Sequence, residues 1–577
     1  MGYSASQLRS SARQFASQNA LLIGVLVIVG ALVVGPLVVL LVASVGKPGT
    51  LPFQTTTLTL ENYWTVLKQP HTLTLVRNTF VYAFSSVAFG GCVAVALAWL
   101  TERTDIPGRT TTRVLLFSWM AVPPLVFGYG WILLINPGNG ALNVALRSLF
   151  GLENAPLTPY SMLSLIVISG LSLVPTAFVM TSGLLRNMDP SLEDSAFVHG
   201  ASRFAVLRKV TLPLLTPGLL STGIFLFIGM VQTFDLPLII GTTAQIPVLS
   251  TRIYLLALPD TGAPNYGLAG AFGMFLLLLA FGLMWIYFRV TRVTEKFRVV
   301  TGRNFRPRRV KLGSWRGPAL LFVGCYLGVM LLPLLILLWT SLLPFYRVPN
   351  LADLSTISLD SYRRVLSDVS IKRAALNTII LVLSSATLVM TLACVTSWLT
   401  LRTRGAAGRL VDVLSFAPNA IPPVVMAVAI LLLFLKSPLY GTIWVLVAGH
   451  VATYLAFGTR TMGGAFIQIH KDLENAAIVS GAGRLTMFRR VLVPLVWPHI
   501  VNGWLWVVAH SARDLTFPLI LLTTANIVIS ASIYVRWGYP DHPAASALSI
   551  LLVGSLVLLV VPIQLYMLRD KQAEAVK

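Results

Sequence analysis

Glu193 and Glu474 are the centres of a polar pattern that this chain carries twice. Leu192, Glu193, Ala196, Gly200, Ala201, Arg203 and Pro213 recur 281 residues later as Leu473, Glu474, Ala477, Gly481, Ala482, Arg484 and Pro494. An acidic side chain suits a helix N-terminus, whose unpaired N–H groups attract negative charge. A glycine allows a sharp change of direction, and a proline fits the first turn of the helix that follows. The chemistry open to such a segment is recognition. A short surface helix with small Ala196 or Ala477 on it can enter a groove on a partner, or the basic stretch can lie on lipid headgroups. Catalysis is not indicated, because no paired-carboxylate, metal-ligand or nucleophile–base constellation has a recognisable spacing. No G-x-x-x-x-G-K-[ST] phosphate loop is found either, Gly46–Lys47 having the wrong residues before it. Cys92, Cys325 and Cys394 fall singly in apolar runs and read as packing residues. We therefore expect no catalytic residue, metal or cofactor on the chain itself.

The elements that must position these loops are membrane helices. The 577 residues are 56% hydrophobic and 11% charged, with a mean hydropathy of +0.80. Apolar runs of about 20 residues suffice to cross the ~30 Å hydrocarbon layer as helices. The expected fold class is thus all-α and polytopic, with about twelve spans, since lipid satisfies no backbone group. They are expected at 21–45, 78–100, 114–135, 161–184, 218–241, 265–289, 317–343, 375–400, 411–435, 441–459, 499–523 and 545–567. The first follows Arg9 and Arg13 without a small-residue cleavage site and reads as a retained helix. The basic residues Arg103, Arg109, Arg113, Arg186, Arg203, Arg208 and Lys209, with the cluster Arg303 to Arg316, then place the duplicated loops and both termini in the cytoplasm. A net charge of +23 is accounted for by this bias and by anionic membrane lipid, so no nucleic-acid partner is expected.

The duplication covers whole halves. Leu60, Tyr63, Asn78, Thr79 and Trp99 match Leu359, Tyr362, Asn377, Thr378 and Trp398 at an offset of 299, as do Pro123–Pro124 and Pro422–Pro423. The offset falls to 281 because the first half holds about 18 extra residues around Asn136 to Tyr160. Six spans per half make the repeat parallel. We read a first half at 1–289 with its loop at 186–213, a basic cytoplasmic linker at 290–316, and a second half at 317–577 with its loop at 467–494. Polar residues at depth in the fifth and eleventh spans are candidates for a pathway or gate: Gln232, Thr233 and Asp235, with counterparts Arg513, Asp514 and Thr516. Asp235 and Arg513 lie roughly 27 Å and 22 Å along their helices from Pro217 and Pro498, in the outer part of the membrane. Pro237 and Pro518 follow and can break the helices there. Isolated His450 and His510 are expected to be interfacial or hydrogen-bonded rather than ligands.

The two loops resemble the cytoplasmic EAA motif of binding-protein-dependent ABC importer permeases: Glu-Ala-Ala, three residues, Gly, nine residues, Ile, one residue, Leu-Pro. The first copy supplies Asp194, Ser195, Ala196, Gly200, Val210, Leu212 and Pro213. The second supplies Asn475, Ala476, Ala477, Gly481, Val491, Val493 and Pro494, and in both the glutamate stands one residue early. The resemblance implies a type I importer permease in the bacterial inner membrane whose loops are coupling helices seated on separate ATPase subunits. Two ATPase copies would bind ATP and Mg, a periplasmic or lipid-anchored binding protein would deliver substrate, and no second permease subunit would be needed. Within that group the chain resembles the fused ferric iron permeases, on the stretches 235–241, 248–254, 264–267 and 513–522. Related permeases carry thiamine, polyamines, phosphonates or sugar phosphates. The competing class is a secondary transporter of the major facilitator type, whose loop element Asp105, Gly108 and Arg109 match in part.

Overall fold

The computed structural model describes residues 5–54, 57–186, 188, 191–295, 310–403, 405–539 and 541–574. Among these residues the regular structure is helical, with two isolated bridges and no strand. Nine helices among the described residues are long and apolar enough to cross a membrane. Two further pairs pass the same test only together, Arg109–Trp119 with Pro124–Ile135 and Ala406–Ala420 with Pro423–Phe434, bent by 100° and 109°. These bent pairs stand where spans are expected at 114–135 and 411–435. Both bends fall at the duplicated proline pairs, where Pro123 and Pro422 take extended backbone angles (ψ 137° and 134°). A proline ring excludes the helical conformation from the residue before it, so the first proline of each pair cannot continue the helix. The 25-residue helix Ile443–Ile467 occupies the place of the tenth expected span but carries His450 and Arg460.

The chain forms two compact units. One comprises residues 1–66, 256–277 and 373–528. In it helix Ala5–Ser44 packs on Ala406–Phe416, Pro423–Phe434 and Ile443–Ile467, and Ser44 Oγ meets Tyr63 OH at 2.7 Å. The other comprises residues 67–255, 278–372 and 529–577. Here Pro70–Arg103, Met162–Arg186 and Leu212–Gln232 pack together, while Arg316–Ser341 packs on Pro124–Ile135 and on His542–Glu574. Gly90 is required at the first of these contacts, since a Cβ there would lie 2.4 Å from the carbonyl oxygen of Gly170. Ser341 Oγ meets Tyr362 OH at 2.7 Å, repeating the Ser44–Tyr63 contact. The helix that opens each half thus packs in the unit built on the middle spans of the other half. The repeat and the compact units are different partitions of one chain.

The additional segment of the first half is an ordered excursion closed by one side chain. Helix Ala141–Phe150 carries Asn143, which is fully buried. Its Nδ2 donates to the carbonyls of Ile135 (2.9 Å), Asn136 (3.0 Å) and Leu157 (2.8 Å), and its Oδ1 accepts from Leu157 N (3.0 Å). Of the basic linker, residues 296–309 lie outside the described residues, but its end is strapped down. Val310 N donates to Arg103 O, Asp105 N donates to Val310 O, and Asp105 Oδ1 accepts from Leu312 N at 2.9 Å. Arg316 donates to Asp105 Oδ2 at 2.5 Å. The Leu312 N–H, and then Arg316, hold the Asp105 carboxyl below its ordinary range. The strap is therefore present at neutral pH and loosens only when acid protonates Asp105 below that range. The Asp105 side chain shared with the facilitator element thus serves as a linker clasp.

Asn143→Ala leaves the buried carbonyl of Ile135, and the half-buried ones of Asn136 and Leu157, without this donor, and an unsatisfied buried group costs about 1–3 kcal/mol. Thermal unfolding in detergent should show a clear loss of stability; an unchanged midpoint would contradict the closing role of Asn143.

Candidate functional site

Each duplicated loop has the same build. In the first, helix Ser191–Val198 is followed by Gly200, helix Arg203–Val206, a wide π turn at Leu207–Thr211, and helix Leu212–Gln232. In the second, helix Lys471–Val479 is followed by Gly481, helix Arg484–Met487, a π turn at Phe488–Leu492, and helix Val493–Arg513. Gly200 and Gly481 take φ of +78° and +83°, the left-handed region that other residues avoid. Pro213 and Pro494 stand in the first turn of the returning helices. A proline inside a helix has no N–H and crowds the carbonyl four residues earlier, which accounts for the widened turn immediately upstream in both copies.

Glu193 and Glu474 are the roots of the loops. Arg103 Nη1 lies 3.3 Å from Glu193 Oε2, and Thr211 Oγ1 donates to Glu193 Oε1 at 2.6 Å. In the second half Arg402 Nε donates to Glu474 Oε1 at 2.7 Å and Trp398 Nε1 to Oε2 at 3.5 Å. Arg103 and Arg402 are the last residues of helices Pro70–Arg103 and Val369–Arg402, and they are 299 residues apart, the offset of the repeat. The same ion pair therefore ties each loop to the C-terminal end of the second span of its own half. These carboxylates stand one residue before the motif position that Asp194 and Asn475 occupy, which frees them to bind inward. The first half adds a second hub, in which Glu102 accepts from Arg113 Nε at 2.8 Å and from Arg186 at 2.9 and 3.0 Å. Leu401 and Ile467 occupy the equivalents of Glu102 and Arg186.

Of the other loop residues, Ser195, Gly200, Asn475, Ala476 and Gly481 are exposed, and Ala196, Ala201, Ala477 and Ala482 are half-buried. Asp194, Arg203 and Arg484 lie on the short helices, their side chains outside the described residues. The loops also present something the sequence reading missed: Val198 is 85% exposed and Val479 is 87% exposed, at equivalent positions. Their signal was available, as the 281-residue offset relates them.

The helices that return from the loops break at equivalent points. Helix Leu212–Gln232 ends where Thr233 turns extended (ψ 139°), and helix Val493–Arg513 ends where Asp514 does (ψ 134°). The breaks precede Pro237 and Pro518 by a few residues, and short helical turns resume at Pro237–Gly241 and Thr516–Ile520. Freed backbone groups are taken up locally: Ser250 Oγ donates to Thr233 O at 2.7 Å, and Phe517 N donates to Asp514 Oδ2 at 3.1 Å. Asn78 and Asn377 hold the chain that follows, donating to Pro247 O (3.1 Å) and to Ala525 O and Ile527 O (3.0 and 2.9 Å). His450 is not at a span end; it is wholly buried inside its helix, with Nε2 3.1 Å from Asp514 Oδ2. His510 stacks on Trp506 with ring centroids 3.6 Å apart. Gln232, Thr233 and Asp235 therefore gather at one break, and Arg513, Asp514 and Thr516 at the other.

The family described as binding-protein-dependent transport system inner membrane component matches twice, at residues 90–296 and 390–571. The chain belongs to this family, and it is a multi-pass permease of the ABC importer class with no catalytic site of its own. A putative ferric transport system permease protein of Haemophilus influenzae is 23% identical over 474 residues, 80% of this chain and 72% of that one. The ferric transport system permease protein of Actinobacillus pleuropneumoniae is 22% identical over 85% of this chain and 70% of its own length. A maltose/maltodextrin transport system permease protein of Photorhabdus laumondii is 28% identical over 43% of this chain and 51% of its own. A crystal structure of a bacterial ABC transporter that imports the acidic polysaccharide alginate has a chain 19% identical to this one. It matches at a TM-score of 0.39 over 51% of this chain and 99% of that one.

The Arg402–Glu474 pair is mostly buried, with 15% and 10% of the side chains exposed. Arg402→Ala or Glu474→Ala removes a charged hydrogen bond and should cost about 1.5–3 kcal/mol in detergent unfolding. The double variant should cost clearly less than the sum. Strictly additive losses would contradict the anchor.

Proposed function

We propose that this chain forms the whole membrane passage of a ferric iron importer whose work is done by two copies of a separate cytoplasmic ATPase subunit. In this reading the ATPases bind ATP and Mg, and a periplasmic or lipid-anchored binding protein delivers the iron. Both termini and both loops face the cytoplasm. The observation that carries the coupling is the repeated loop: two short helices of the same build, rooted by the same ion pair, each exposing one valine. The same side chain exposed at the same place in both copies gives each loop one apolar contact to offer a partner. Two such contacts on one chain call for two sockets.

Closing the ATPases would pull on Glu193 and Glu474 and, through Arg103 and Arg402, on the second span of each half. The broken helices are the elements that respond. Gln232, Thr233 and Asp235, and separately Arg513, Asp514 and Thr516, act as gate or pathway lining because backbone breaks at depth are tolerated where they line a cavity. Iron as cargo is supported by the two ferric relatives, which align with more than two thirds of both chains. An organic solute is the second reading, favoured by the maltose relatives.

Gly200→Leu and Gly481→Leu place a side chain at a left-handed residue, a strain of about 1–2 kcal/mol. Both variants should insert normally yet lower transport and transport-linked ATP hydrolysis in vesicles carrying the full complex. Undiminished transport in both would sink the coupling role. Asp514→Ala should impair transport while ATP hydrolysis stays dependent on the binding protein; loss of folded protein would instead make the Asp514–His450 contact purely structural. Uptake of radioactive ferric iron, unaffected by excess maltodextrin, would support iron, and the converse pattern would support the organic solute.

A further inference from the structure

Helices Pro70–Arg103, Met162–Arg186 and Leu212–Gln232 enclose an apolar groove of about 570 Å³ in one unit. On the returning helix it is lined by Thr211, Leu212, Leu215, Leu219, Thr222 and Leu226, one stripe at helical spacing. From Thr211 to Leu226 the stripe runs about 22 Å at ~1.5 Å per residue. One leaflet of a bilayer, headgroups included, is about 20 Å deep. The groove is thus one leaflet long, and it reaches the loop end of all three helices, where Trp99, Leu185 and Thr211 stand.

Arg208 stands one turn nearer the loop than Leu212, in the wide turn Leu207–Thr211. Arg208 and its neighbour Lys209 are exposed. Among the described residues, Glu102 and Glu193 at this end are paired with Arg113, Arg186 and Arg103. An apolar slot of leaflet length that ends in exposed positive charge matches one class of ligand. We infer that the groove holds an acyl chain of an anionic phospholipid, with Arg208 and Lys209 on its phosphate.

The consequence reaches the first coupling loop. Thr211 lines the groove and donates to Glu193 at 2.6 Å, so the lipid packs against the turn that roots the loop. The groove also receives two glycines without obstruction: a Cβ at Gly91 or at Gly223 meets nothing within 4 Å. A side chain at either position therefore starts into the slot without a clash at its Cβ. The inference needs only the membrane setting and stands apart from the ATPase and the cargo.

The test is native mass spectrometry of the whole chain after reconstitution with equal phosphatidylglycerol and phosphatidylcholine, followed by stepwise delipidation. The natural protein should keep phosphatidylglycerol after phosphatidylcholine is lost. Arg208→Gln should lower that retention roughly fivefold, the factor expected for one basic residue at an anionic surface. Gly91→Leu and Gly223→Leu should lower it further, while Gly324→Leu, another unobstructed glycine, should not. Equal retention of both lipids, or retention unchanged in every variant, would overturn the site. If the leucine variants fail to insert, Arg208→Gln decides alone.

Discussion

A loop that leaves the membrane as a single excursion has nothing beside it to lean on, and here a guanidinium at the end of a neighbouring span supplies the restraint. Arg103 and Arg402 end their helices, where positive charge is favoured by the helix dipole. Each meets a glutamate near the start of a short helix, and negative charge is favoured there for the same reason. Both partners are largely withdrawn from solvent, so neither can be removed without stranding the other. Force applied to either loop is therefore delivered to a named helix. The glycine at left-handed φ and the π turn before each proline then fix how the loop re-enters the membrane.

The second constraint is that backbone broken at depth must find new partners. The repeat solves this once and uses the solution twice, with Asn78 and Asn377 reaching to carbonyls after each break. On that shared scaffold the halves then differ in chemistry. At the break of the first half stands Thr233, and Ser169 of the same half bonds Tyr82. The equivalents in the second half are Asp514 and His450, which bond each other, beside the stacked rings of Phe457, Trp506 and His510. The duplicated frame thus carries an imidazole–carboxylate contact in one copy and a hydroxyl contact in the other.

Much of this was legible in the residues. Period and offset marked the helices, the two halves, the loops and the additional segment at 136–160, because each leaves a local pattern of type and spacing. The family assignment followed from the loops and is met by both domain matches. Other features were not legible, for physical reasons. The bends at Pro123 and Pro422 depend on whether a proline pair starts a new helix or merely kinks an old one, and apolar content is the same either way. The ion-pair partners of Glu193, Glu474 and Asp514 lie 64 to 90 residues away in sequence, so no local pattern could join them. Arg103 could have been paired with Glu193 by asking which basic residue repeats at the end of the second span, since Arg402 answers at the same offset. The placement of each opening helix in the unit of the other half leaves no trace in hydropathy at all.

On the proposed reading, one chain carries two equivalent docking helices for an ATP-driven subunit. This is tested most directly by isolating the chain from its native membrane in mild detergent and measuring the intact mass of the complex. The account predicts one copy of this chain with two copies of an ATP-binding subunit. Substituting Val479 with Asp should reduce the complex to one bound copy. A chain recovered alone, and still transporting in vesicles without ATP, would contradict it.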